Sequence, residues 1–117
     1  MKDFRKLDVW HKAHQLAVQL YKVTETFPAS EAYGLTSQLR RAGVSIPTNL
    51  AEGCGRATDA DLARFIVIAM GSASEVEYLL LLARELKLLG EQNGVDLEAQ
   101  IVEIKKMLAA LVKTVRG

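Results

Sequence analysis

Between Leu7 and Phe27 the residues Trp10, Ala13, Ala17, Leu20, Thr24 and Phe27 recur at alternating steps of three and four, which lines one face of an α-helix. Pro28 forces the residue before it out of helical geometry and ends this first helix. The segment "PASEAYG" then turns the chain, with Ser30 or Glu31 placed to begin the next element. A second helix is predicted from Ala32 to Cys54, with Leu35, Leu39, Ala42, Ile46 and Leu50 on an apolar stripe beside a polar one of Gln38, Arg41, Ser45, Asn49, Glu52 and Arg56. Gly53 and Gly55 close it, and Thr58 with Asp61 three residues on predicts the N-cap of a third helix. That helix, Asp59 to about Leu89, carries Leu62, Phe65, Ile66, Ala69, Ala73, Val76, Leu80, Ala83 and Leu86. Gly90 and "EQNG" are expected to close it. Leu97, Ile101, Ile104, Leu108, Leu111 and Val115 mark a fourth helix with the seam spacing of a bundle.

No alternating pattern of strands competes with these helices. Short loops between long helices favour antiparallel neighbours, so the expected fold is all-α: one domain over residues 1–117, an antiparallel up-and-down four-helix bundle. Its second helix contains "RRAGVSIPTNLAEGCGR", residues 40–56, which is rich in residues that weaken helices. Pro47 predicts a kink, and Gly43 leaves room for a neighbouring helix. The polar residues Arg41, Ser45, Asn49 and Glu52 form either a solvated face or a buried network between helices or subunits, with Glu75 the candidate ion-pair partner of Arg41. "GSAS", residues 71–74, reads as a notch for close helix approach, and helix three is apolar on more than one face, which calls for cover from its own bundle and from another subunit.

Composition narrows the chemistry. Half of the residues are hydrophobic and the net charge is only +1, which leaves little excess of Lys and Arg for phosphate binding. His11 and His14 share a metal-compatible spacing but have no third ligand nearby, so they read as surface histidines and no metal is expected. The single cysteine, Cys54, rules out an internal disulfide, and its place at a helix C-terminus makes for an inert thiol in a reducing, cytoplasmic setting. The opening "MKDFRKLDVW" has no apolar run of a signal peptide. The uncharged stretch of helix three reads as too short and too interrupted to span a bilayer, so no membrane partner is expected. No nucleophile has an evident base beside it and "GCG" is misplaced for a phosphate loop, so neither enzyme activity nor a cofactor is expected.

"LDVWHKAHQLAVQLYKVTETFPASEAYGLTSQLRRAGVSIPTNLAEGCGR" followed by "FIVIAMGSASEVEYLL" resembles the 23S rRNA intervening-sequence proteins, and the resemblance covers nearly the whole chain. It implies a homo-oligomeric four-helix bundle, typically a pentamer. The family is in turn similar to the accessory proteins of diversity-generating retroelements, basic pentameric barrels that bind nucleic acid and a reverse transcriptase. That relation implies RNA or DNA as a partner, and Arg40, Arg56, Arg64 and Lys12 are the candidate phosphate contacts. The competing expectation is a scaffold for another protein. A continuous basic face favours the first, and interspersed charge with an exposed apolar patch favours the second.

Overall fold

The computed structural model describes residues 2–117. Its helices are α1 (Asp8–Thr24), α2 (Leu35–Cys54), α3 (Asp59–Glu85) and α4 (Glu91–Arg116), with short 3-10 turns at Phe4–Lys6 and Ala29–Glu31. Each helix packs on the next and α4 closes on α1, whereas no Cα of the diagonal pairs α1/α3 and α2/α4 comes within 8 Å of the other, so the four form a square bundle around one shared core. Paired residues rise along one helix as they fall along its neighbour. Lys12 and Gln19 of α1 meet Glu103 and Gln100 of α4, and Glu77 and Arg84 of α3 meet Lys105 and Glu98 of α4.

The core is built mostly from the predicted stripes, with Leu16 and Val112 added to them and Trp10, Leu111 and Val115 only half-buried. Leu16, Leu20, Leu39, Ile46, Leu50, Ile66, Val76, Leu80, Leu97, Ile101, Ile104 and Leu108 are all fully buried. Gly53 marks a close approach of α2 to α3: a Cβ there would lie 2.8 Å from the Cβ of Phe65 and 3.0 Å from a Leu62 methyl. Gly43 plays the same part between α2 and α1, where a Cβ would meet a Leu20 methyl at 2.6 Å. The helix runs unbroken through Pro47, which is buried beside this second contact.

Two helix ends differ from the sequence expectation through hydrogen bonds within the turn itself. α1 stops at Thr24, and Phe27 turns back through a bond from its N–H to the Thr24 carbonyl to stay in the core. α2 starts at Leu35 and not Ala32, because the Glu31 carboxylate accepts from the Leu35 N–H at 3.1 Å. Thr58 caps α3 as predicted, its hydroxyl accepting from the Asp61 N–H at 3.1 Å.

The other end of α3 brings two corrections. The helix ends at Glu85, which leaves Leu86 exposed instead of on the core stripe, and "EQNG" is the first turn of α4 and not a loop. Arg84 explains the second. Its guanidinium bonds both Glu91 and Glu98, and Gly94, which faces it between them, leaves the space its stem occupies. The turn itself is a Schellman closure, with the Leu88 N–H on the Ala83 carbonyl and the Lys87 N–H on the Arg84 carbonyl, both at 2.9 Å. This puts Lys87 at φ 60°, the left-handed region that only glycine enters without cost. Lys87→Gly is therefore expected to stabilise the protein by about 1 kcal/mol; an unchanged or lower midpoint in urea unfolding would contradict the strain.

Candidate interaction surfaces

The four cations predicted to hold phosphate are already engaged within the chain. Lys12 pairs with Glu103 at 2.9 Å, Arg56 with Glu52 at 3.1 Å, and Arg64 with Asp61 at 3.6 Å. Exposed pairs of this kind contribute little stability, but each puts a carboxylate beside the charge that a phosphate would need. Arg56 and Arg64 are brought together, both guanidinium groups lying over the Phe65 ring at 4.9 and 5.0 Å. Arg40 is not with them: it stands near the start of α2, about 21 Å along the axis from Cys54 at 1.5 Å per residue. There it closes the end of α1, donating from Nε to the Thr24 hydroxyl at 2.9 Å and from Nη2 to the Tyr21 carbonyl at 3.2 Å.

The polar stripe of α2 divides in two. Ser45 and Asn49 form a half-buried network, with Asn49 donating to the Ser45 carbonyl at 2.8 Å and the Ser45 hydroxyl meeting that of Ser72 across the α2/α3 seam at 2.8 Å. Ser72, not Glu75, is thus the residue on α3 that completes it. Arg41 and Glu75 form no ion pair with each other and both stay exposed, and Glu52 turns to Arg56. Helix interiors place Ser and Asn poorly; Ser45 is accounted for by its contact across the seam and Asn49 by its bonds back to Ser45 within α2.

The candidate chemistry of the histidines and the cysteine resolves into packing. His11 Nε2 lies 2.6 Å from the Arg5 carbonyl, while the His14 ring stacks on Trp10 with centroids 5.0 Å apart. Burial pushes the Cys54 thiol above its ordinary pKa, which disfavours the reactive thiolate. Dithionitrobenzoate is expected to label Cys54 only as fast as the protein unfolds; immediate labelling of the folded protein at neutral pH would contradict this.

What remains is apolar. Val67, Ile68, Tyr78 and Leu81 lie exposed along α3 at helical spacing, Tyr78 at 58%. Gly71 sits between them with open space where its Cβ would be. By length and composition α3 is long and apolar enough to cross a membrane, with an 18-residue window of mean hydropathy 1.7, although Glu75 and Glu77 interrupt its uncharged stretch, as the sequence showed. The bundle explains only part of that apolarity, since 39% of the window is buried. A second uncovered region lies between α1 and α2, a groove of about 610 Å3 lined by Phe4, Trp10, Val18, Tyr21, Val44 and Pro47. Periodicity marked Trp10 as a face residue, but Val18, Tyr21 and Val44 fall off the predicted stripes and gave no signal of their own.

Comparison with known proteins bears on this arrangement. The family model for the 23S rRNA-intervening sequence protein matches residues 5–110. Among solved structures, the chain is similar to a protein of unknown function from the S23 ribosomal protein family of Bacteroides thetaiotaomicron VPI-5482. The TM-score is 0.81 at 26% identity, over 90% of this chain and 98% of that one. No curated protein matches.

Proposed function

Because the chain belongs to the 23S rRNA-intervening sequence protein family, we propose that it works as a non-enzymatic, cytoplasmic scaffold assembled from copies of itself. The observation that carries this reading is the pair of uncovered apolar faces. One is on α3 and the other between α1 and α2, and the α3 backbone stays more than 8 Å from that of α1, so the two faces are distinct. Two unlike faces on one subunit call for a head-to-tail contact, and such contacts close into rings when the rotation allows. Five copies is the number the family resemblance implies. Burying Ile68, Tyr78 and Leu81 against the groove removes from water the apolar surface that the bundle leaves open.

The partner of such a ring is a protein on the reading the charges support best. The net charge of +1 is spread over interspersed cations and carboxylates, and three of the four cations expected to bind phosphate sit beside carboxylates. RNA or DNA keeps one specific observation in its favour, a basin free of carboxylates at the start of α2. Light scattering on the purified protein tests the assembly: a mass about five times that of the 12.9 kDa chain supports it, and a monomer at micromolar concentration contradicts it.

A further inference from the structure

Where the end of α1 meets the start of α2, a shallow basin of about 520 Å3 opens among Tyr21, Tyr33, Thr36, Ser37, Arg40 and Arg41. Its lining holds two arginines and no carboxylate. Neither Arg40 nor Arg41 has a carboxylate partner among the described residues, and Arg40 Nη1 makes no hydrogen bond there. The nearest acid in the preceding turn, Glu31, already accepts from the Leu35 N–H. The first turn of α2 supplies Thr36 and Ser37, and Arg40 offsets the negative end of α1 beside it by holding the Tyr21 carbonyl.

The aromatic rings in the basin are unusual for their exposure. Tyr33 is 100% exposed, so it fills no core and supports no neighbour. Tyr21 is 45% exposed, with the Arg40 guanidinium over its ring at 4.6 Å, which fixes both the ring and the charge in place. We propose that this basin binds single-stranded nucleic acid, with an unstacked base on the Tyr33 ring and the adjoining phosphates on Arg41 and Arg40. Base stacking on aromatic faces combined with a cationic path for the backbone is the recognition chemistry of single strands. A duplex hides its base faces within the stack and offers Tyr33 nothing to lie on. An acidic peptide would satisfy the arginines but leave the Tyr33 ring without a partner. The site is separate from the α2/α3 turn, where Arg56 and Arg64 are balanced by carboxylates, and it requires no assembly of subunits.

Fluorescence anisotropy with a labelled ten-nucleotide oligouridine, at low and moderate salt, tests this on the full chain. Tyr33→Ala and Arg41→Gln alter exposed side chains, and unchanged helical circular dichroism verifies that both variants fold. Tyr33→Ala is expected to weaken binding about ten-fold. Arg41→Gln is expected to weaken it and to reduce the slope of log affinity against log salt by about one. Arg56→Ala should match the unaltered protein. The proposal is overturned if oligouridine does not bind at low salt, if a duplex of equal length binds as tightly, if Tyr33→Ala binds like the unaltered chain, or if an oligoglutamate binds with the same loss on Tyr33→Ala. Scattering mass on the same samples keeps the two readings apart: a monomer that binds through Tyr33 overturns the ring and not the basin.

Discussion

Ile68→Arg is expected to leave single chains of 12.9 kDa with the helical content of the unaltered protein. Ile68 is 44% exposed on the outer side of α3, so arginine there reaches water and the subunit core is untouched. In an assembly the same guanidinium would be buried against an apolar groove with no carboxylate beside it, at a cost of several kcal/mol, enough to abolish association. Gly71→Leu separates folding from assembly more sharply. Open space surrounds the Gly71 Cβ position, so leucine gains about 1 kcal/mol of helix propensity within the subunit. On the same face as Ile68 and Tyr78, it also fills the notch that a neighbouring subunit would enter. A variant that runs as a monomer and melts above the Ile68→Arg monomer is the expected result, and a full-size assembly from Ile68→Arg would place the contact elsewhere.

Gly53→Val is expected to produce the largest loss of stability, about 2–3 kcal/mol. Helix propensity alone favours the change, since glycine is the poorest helix former after proline. Packing reverses the sign. The nearest atom to an added Cβ is the Cβ of Phe65 at 2.8 Å, which is fixed to the α3 backbone and cannot swing aside, and the Leu62 carbonyl lies at 3.4 Å. The helices must separate at this close approach, and the fully buried Leu50 and Ile66 lose contact with them. A fall in Tm on the order of 10 °C follows for a chain of this size. Gly43→Ala provides the contrast: the atom in its way is the free end of Leu20, and rotation of that side chain relieves part of the clash. Equal losses at the two sites would mean that helix separation is not what limits either.

Elements whose cause is local were legible in the sequence. The spacing from Ala13 to Thr24 and the Thr58–Asp61 cap each depend on residues within a turn or two, and the structure retains both signals. The ends of α1 and α2 were misplaced through short hydrogen bonds that periodicity does not encode, Phe27 to Thr24 and Leu35 to Glu31, whereas the turn into α4 depends on a residue of the preceding helix. "EQNG" has poor helix formers and reads as a loop, but Arg84, on the preceding helix, holds Glu91 and Glu98 and makes the segment helical. Arg41 and Glu75 are opposite in charge and were paired on that ground, whereas the seam is closed by two hydroxyls, Ser45 and Ser72, that periodicity cannot match. The site residues followed the same division. Composition showed no real excess of cations over carboxylates, but that Lys12, Arg56 and Arg64 meet carboxylates, and that Arg40 closes α1, emerges only once the helices are packed. The need for cover on α3 was visible from its apolar circumference, because that property belongs to the helix alone.

Mixing two variants tests the head-to-tail contact most directly. Ile68→Arg removes the α3 face and keeps the groove, while Val18→Arg removes the groove and keeps the α3 face. Each alone is expected to be a monomer. Mixed in equal amounts, they retain one working pair of faces and should form a particle of about twice the 12.9 kDa chain mass that grows no further. Two monomers that stay monomeric when mixed would contradict the contact between α3 of one subunit and the α1/α2 groove of the next.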